Sequence, residues 1–385
     1  MFEYFPGNYW WSAMIMNSLG MGGEMTEIDR FIGPLKEHAG KRELMGNNDP
    51  ADRQRWATPW RELGEHVERL AEDDARKGLR ASAARKYLRA ANYGFVAEVN
   101  APAGAPATEA IYADAQRRFR RGCELGRTGI QFVDVPFEGT VLPSLFVPAQ
   151  GADGPAPCMV HFDGSHDVKE VSWLRHRNGL AERGISMLIV DHPGSGEALR
   201  RHKLYARPDI EVAATAAVDY LEGRDDVDAD KIGILAQSMG GYYAPRSAAF
   251  EKRLKVCVVW GAIWDIHQLG VDKGMTFSPE EFALYGLDSA EAIGERIKDF
   301  TLEGGIMEQV ECPLLVFHGE NDRQCPLWTA ERTYERAVNA ASRELRVFNL
   351  DEGGAEHCEL DIVSMATDFI HDWLALFWGT DSVPD

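Results

Sequence analysis

Nowhere in the 385 residues is there an uninterrupted run of about eighteen apolar residues, so the sequence predicts no membrane-spanning helix. Met1-Phe2-Glu3-Tyr4 lacks the basic start and long apolar core of a signal peptide, and the expected location is cytoplasmic. Positive charge is scarce: 41 Lys and Arg stand against 61 Asp and Glu, a formal net charge of -20. Without a basic footprint, nucleic acid and anionic membranes are excluded as partners, which leaves a small-molecule substrate. Cysteine is sparse too. Cys123, Cys158, Cys257, Cys312, Cys325 and Cys358 lie far apart with no metal-ligand spacing, which predicts reduced core or loop thiols and no metal site. Gly194-Ser195-Gly196 has neither the spacing nor the lysine of a phosphate loop, and no cofactor is expected.

What the chain does have is Lys231-Ile232-Gly233-Ile234-Leu235-Ala236-Gln237-Ser238-Met239-Gly240-Gly241, an apolar strand running into small residues around one serine. This is the pattern of a strand-to-helix nucleophile elbow, whose sharp turn needs small residues two before and two after the serine. Ala236 and Gly240 fill those positions, Ala236 replacing the usual glycine. A serine hydroxyl becomes nucleophilic when an imidazole can take its proton, and the imidazole needs a carboxylate to fix its tautomer. Both are predicted downstream. The buried strand Cys312 to Gly319 leads into Glu320-Asn321-Asp322-Arg323, and the apolar segment Leu345 to Leu350 leads into Gly353-Gly354-Ala355-Glu356-His357-Cys358. Asp322 is the candidate acid, since its rivals Asp299 and Asp351 lack the strand-turn context. Beyond Asp322 only His357 and His371 remain, and His371 falls in a helical run, so His357 is the candidate base. The competing readings are a capping serine, an Asx-turn aspartate and a solvated loop histidine. Cys358 is expected to point away from its neighbour His357.

A tetrahedral intermediate also needs hydrogen-bond donors for its oxyanion. The amide after the nucleophile belongs to Met239. The second donor is expected after the strand Cys158 to Phe162, from Asp163 or Gly164, ahead of a helical run from Lys169 to Arg183. Asp163 is equally readable as a polar substrate contact or a turn former.

Short apolar runs alternate with helical patterns through the rest of this region, as a doubly wound, mostly parallel sheet requires. Ile185 to Val190 and Val256 to Trp260 supply further strands, Val212 to Leu221 a helix, and Phe132 to Pro148 an opening hairpin with a Glu138-Gly139 turn. Residues 129–385 thus form one predicted domain. Residues 1–128 read as a helical accessory domain, with Trp56, Trp60, Leu63, Val67 and Leu70 at helical spacing, likewise Ile111, Ala115 and Phe119, and a loop from Asn100 to Pro106. Its aromatic start, including Tyr9 and Trp10, is read as part of a cap over the site, as a contact in a homodimer, or as ordinary packing. Residues 264–310 are long for a crossover and read as a second cap element, in which Trp264, Asp265 and His267 are candidate substrate contacts.

These motifs resemble the α/β-hydrolase superfamily, and more narrowly the group with an N-terminal helical domain that contains FrsA-like esterases and 2,6-dihydroxypseudooxynicotine hydrolase. The resemblance is carried by Phe137-Glu138-Gly139, Asp191-His192-Pro193-Gly194-Ser195-Gly196, Ser238-Met239-Gly240-Gly241, Trp260-Gly261, His318-Gly319 with Asp322, and Glu356-His357-Cys358. It implies an α/β-hydrolase fold with a helical cap. It also implies a serine hydrolase, since the group includes enzymes that cut a carbon–carbon bond next to a ketone. A 1,3-diketone of bulky or aromatic character is the expected substrate; a bulky ester or lactone cut through an acyl-enzyme is the alternative. A non-catalytic binding protein of this fold, or lyase or transferase chemistry on the same trio, stands further off.

Overall fold

A computed structural model of the chain describes residues 1–40, 50–102, 104–165, 167–272, 277 and 279–380. It divides into two compact units, one centred on Met1–Ile130 and the other on Gln131–Phe277 and the chain from Glu281 onward.

The first unit is helical, with long helices at Pro50–Arg76, Arg80–Val99 and Pro106–Gly126, the last opening on a proline whose missing N–H costs nothing at that position. Helical spacing puts Trp56, Trp60, Leu63 and Val67 on one face, and all four are fully buried; Leu70 is exposed, so the apolar stripe ends one turn earlier than its periodicity suggests. The N-terminal aromatics join this core. Phe5, Trp11, Trp56, Trp60 and Tyr93 form a chain of rings with centroids 5.1 to 5.8 Å apart in successive contacts. Tyr9 is buried in the same unit, and the Trp10 indole donates to Asn100 Oδ1 at 2.6 Å. Of the loop following Asn100, Ala103 lies outside the described residues.

The second unit holds one sheet of eight strands: β1 Gln131–Phe137, β2 Thr140–Val147, β3 Ala156–Phe162, β4 Ser186–Val190, β5 Val227–Gln237, β6 Cys257–Trp260, β7 Leu314–Gly319 and β8 Arg343–Phe348. Their order is β1-β2-β4-β3-β5-β6-β7-β8. The β1–β2 hairpin turns at Glu138 and Gly139, both with positive φ (43° and 80°), the condition for a two-residue turn that follows the strand twist. β2 joins β4 antiparallel, and every pairing from β4 to β8 is parallel. Strands covered on both faces read as continuous apolar runs, and β3, β4, β6 and β7 are buried at every position.

Some element ends differ from expectation. The helical run after β3 is a helix only over Lys169–His176, because Arg177 turns left-handed (φ 52°) and a short 3-10 turn follows at Ala181–Arg183. Within 264–310, helices run Ile266–Asp272, Pro279–Tyr285 and Ala290–Arg296, and residues 273–276 and 278 lie outside those described. Leu284 and Tyr285 join the hydrophobic core of this unit.

The chain passes from β3 outward to β4 and then returns to place β5 on the other side of β3. Connections leaving in opposite directions open a crevice at the carboxyl ends of β3 and β5. The segments that begin at Asp163 and at Ser238 emerge there.

Candidate active site

Ser238 has φ of 54°, a left-handed conformation that costs a non-glycine residue about 1–2 kcal/mol. The surrounding glycines make this turn feasible. A Cβ on Gly240 would sit 2.7 Å from the Ala236 methyl and 2.9 Å from the Phe162 carbonyl, and one on Gly241 would sit 2.2 Å from the Gly261 carbonyl. The Ala236 methyl therefore fits because the residue opposite has no side chain, which explains how the elbow departs from glycine without opening. Ser238 N–H donates to the Trp260 carbonyl at 2.8 Å, and the helix Gly240–Phe250 begins at once.

The structure brings the three candidate side chains together. Ser238 Oγ lies 2.9 Å from His357 Nε2, and His357 Nδ1 lies 2.7 Å from Asp322 Oδ2. Asp322 Oδ1 accepts the backbone N–H groups of Gln324 and Cys325, each at 2.7 Å, so the carboxylate is held at both oxygens. The acid and histidine loops are joined to each other: Asn321 N–H donates to the Ala355 carbonyl at 2.8 Å, and its side-chain amide donates to Glu356 Oε1 at 2.9 Å. Burial alone would lift the Asp322 carboxyl, but the adjacent His357 outweighs it and holds the group below the usual carboxylate range. For His357 burial works against the imidazolium, yet the Asp322 charge wins and lifts it well above 6.5.

Two neighbours of the trio were not among the candidate site residues. His318 is fully buried, accepts the Ala262 N–H at Nδ1 (3.2 Å) and donates from Nε2 to the Cys325 carbonyl (2.6 Å). Because an amide can only donate, the His318 tautomer is fixed with its proton on Nε2, 3.5 Å from Asp322 Oδ2. Burial keeps it neutral. Cys358 departs from expectation: its φ of 48° swings Sγ to 3.5 Å from His357 Nε2 rather than away. Burial pushes this thiol up to about 11, so at neutral pH it is a protonated thiol. Asp322, Cys325 and His357 also bring three ligand-type atoms within 4.8 Å. A metal ion there would first have to displace the proton shared by His357 Nδ1 and Asp322.

On the oxyanion side, the Met239 N–H has no acceptor among the described residues. Gly164 borders the serine, since a Cβ on it would lie 2.9 Å from Ser238 Cβ and 3.3 Å from Ser238 Oγ. Its amide, however, already donates to Asp163 Oδ1 at 2.7 Å. Asp163 is 3% exposed; its carboxylate also accepts from Ser172 Oγ and from Arg175 Nη1 (3.2 Å), and its carbonyl contacts His192 Nε2 at 3.0 Å. It is thus an internal anchor of the loop after β3, its buried carboxylate held by Gly164, Ser172 and Arg175. Burial would raise it, but Arg175 holds it far below the usual range. Arg175 was invisible in the sequence, because nothing in a helical repeat marks which charged residue turns inward.

The other candidates have partners of their own. Trp264 is buried, and its indole N–H donates to Glu303 Oε1 at 2.9 Å with Arg332 over its ring, so it is a packed structural residue. Asp265 Oδ1 caps the helix Ile266–Asp272 by accepting Gln268 N–H at 2.7 Å. His267 is half-buried on that helix. Tyr9 and Trp10 belong to the helical unit, Tyr9 buried there and Trp10 bonded to Asn100.

Several known proteins are similar to this chain. The model of the prolyl oligopeptidase family matches residues 172–357, a span that contains Ser238 and Asp322 and ends at His357. Hydrolase ORFZ of Pyricularia oryzae is 29% identical over 367 residues, covering 82% of this chain and 83% of that protein. The α/β hydrolase gkaG of Penicillium citrinum is 27% identical over 357 residues, 78% of each chain. Among solved structures, the 2,6-dihydroxy-pseudo-oxynicotine hydrolase superposes with a TM-score of 0.75 at 22% identity, covering 94% of this chain and 95% of that one. Sheet order, elbow and relatives agree: the chain has the α/β-hydrolase fold and is a serine hydrolase of that fold.

Proposed function

We propose that this enzyme hydrolyses a carbon–carbon bond next to a ketone, in a bulky or aromatic 1,3-diketone, with Ser238 as nucleophile, His357 as base and Asp322 as its carboxylate partner. The observation that supports the hydrolytic part is the unbroken relay from Ser238 Oγ through His357 to Asp322, at 2.9 and 2.7 Å. Ser238 attacks one carbonyl as His357 Nε2 takes the hydroxyl proton. The resulting oxyanion faces the Met239 N–H; the turn at Asp163 and Gly164 supplies the second donor, the Gly164 amide exchanging Asp163 Oδ1 for the oxyanion. The carbon–carbon bond then breaks, its electron pair passing into the second carbonyl as an enolate, and His357 returns the proton to the enolate carbon. Water releases the acyl group by the same steps. The choice of bond rests on likeness to the group containing the 2,6-dihydroxy-pseudo-oxynicotine hydrolase, a warrant of analogy.

A carboxylesterase is the second reading, because the relay supplies everything an aryl ester needs: the alkoxide leaves and His357 protonates it. Mass-spectrometric product analysis of an aromatic 1,3-diketone and an aryl ester of similar size, with wild type and Ser238→Ala in parallel, separates them. Serine-dependent formation of an acid and a ketone from the diketone is the expected result. Cleavage of the ester alone would make the enzyme a carboxylesterase. A reducing compartment belongs to the same proposal, since all six cysteines stand as free thiols.

The relay also sets a pH dependence. His357 must be neutral to accept the serine proton, and its pKa is raised well above 6.5 because Asp322 overcomes burial. kcat/KM should therefore rise with pH through a single ionisation above 6.5 and level off under alkaline conditions. Stability should move oppositely: the charged His357–Asp322 pair contributes fully below the unfolded histidine pKa, and that contribution is lost as pH rises through the higher folded value. A kcat/KM profile that is already flat at pH 6 would count against His357 as the base.

A further inference from the structure

Trp260, at the carboxyl end of β6, supports the nucleophile and the histidine at once. Its carbonyl accepts the Ser238 N–H at 2.8 Å, and the Cys358 thiol lies 3.9 Å from the same oxygen. Its indole Nε1–H donates to Oε2 of Glu359, two residues beyond His357. Gly261 closes the arrangement, since a Cβ there would lie 2.7 Å from Cys358 Sγ and 3.7 Å from His357 Cε1.

Glu359 is fully buried, and its Oε1 has no partner among the described residues. A fully buried carboxylate with a single protein donor is poorly compensated for lost solvation, which favours the neutral acid. Burial also lifts its pKa well above the carboxylate range. The backbone beside it is unusual. Cys358 and Glu359 follow one another with φ of 48° and 51°, conformations that L-residues avoid and that persist where surrounding contacts over-determine them. The turn decides where His357 points, and among the described residues the Trp260 indole is the hydrogen-bond donor to the Glu359 carboxyl.

We infer that Glu359 is a positioning residue: by accepting the Trp260 indole N–H it pins the left-handed turn after His357 and aims the imidazole at Ser238, which the same tryptophan holds by its carbonyl. This rests on the relay proposed above. The rival accounts are that Glu359 fills space in the core, or that its carboxyl exchanges protons during turnover.

The test is the rate at which a fluorophosphonate modifies Ser238, followed by intact mass, which needs no knowledge of the substrate. In that reaction the Ser238 Oγ–P bond forms as the P–F bond breaks, fluoride leaves, and the serine proton passes to His357. Glu359→Leu and Trp260→Phe should each slow the maximal labelling rate about 100-fold, the effect of an imidazole displaced by about 1 Å, while the reagent's half-saturating concentration stays the same. Glu359→Gln, whose amide oxygen still accepts the indole N–H, should restore most of the rate lost in Glu359→Leu and keep the wild-type pH profile. Labelling of Glu359→Leu at the wild-type rate would reduce Glu359 to core filling and overturn the inference. A slow Glu359→Gln with a shifted pH limb would overturn it in favour of a titrating carboxyl. Should Glu359→Leu fail to fold, Trp260→Phe decides alone, and a wild-type rate there is fatal. Wild-type protein that resists labelling altogether, like a Ser238→Ala control, would instead bring down the relay and this inference with it.

Discussion

Ser238→Ala should lower kcat by about five to six orders of magnitude and leave folding intact. The substitution removes one oxygen from an elbow whose geometry depends on other residues. Alanine tolerates a φ of 54° no worse than serine does, and Gly240, Gly241 and Gly164 still leave the space the turn requires. Binding should survive, so KM changes little and the loss appears in kcat. The nearest other nucleophile does not rescue the variant: Cys358 Sγ is near His357, but burial keeps its thiol protonated and its backbone points it at the Trp260 carbonyl. Steady-state kinetics on whichever substrate is cleaved, with a thermal melt to confirm folding, checks this. A variant retaining a tenth of wild-type turnover would remove Ser238 from the mechanism.

Asp322→Asn should cost about four orders of magnitude in kcat by a different route, the wrong histidine tautomer. The surrounding hydrogen bonds dictate the outcome. Asp322 Oδ1 is fixed by two backbone N–H groups, from Gln324 and Cys325, which only an oxygen can satisfy. The replacement must therefore keep its carbonyl there and turn its NH2 towards His357 Nδ1. Facing a donor, Nδ1 becomes the acceptor and the ring proton moves to Nε2, the atom that should receive the Ser238 proton. The variant should melt close to wild type under alkaline conditions, where His357 is neutral in both and the amide makes the same number of hydrogen bonds, and below wild type at lower pH, where the charged pair is missing. Its remaining activity should lose the ionisation limb above pH 6.5, since the Asp322 charge that raises His357 is gone. An Asp322→Asn enzyme within tenfold of wild type would mean that another carboxyl serves His357.

The sequence showed the chemistry more readily than its surroundings. Ser238, Asp322 and His357 were legible because each follows an apolar strand and is flanked by small or turn-forming residues, a local pattern that physical constraint on the backbone leaves in the chain. The sheet was legible for the same reason, since strands buried on both faces must be apolar throughout. Asp163 read ambiguously, and the structure makes it an internal anchor paired with Arg175, twelve positions along and on a helix. Trp264 was a candidate contact because it opens the long segment 264–310, but its partners Glu303 and Arg332 arrive from later in the chain.

By itself, then, the sequence determined the order of strands along the chain, the elbow and the identity of the three side chains, because those features are written in neighbouring residues. The tertiary structure alone decided that the Gly164 amide is engaged while the Met239 amide has no acceptor among the described residues, that Cys358 turns towards His357, and that Trp260 ties Ser238 to Glu359. Those outcomes depend on hydrogen bonds between segments up to about a hundred residues apart, and a buried donor is satisfied by whatever acceptor the fold brings to it, whichever residue lies next in the chain.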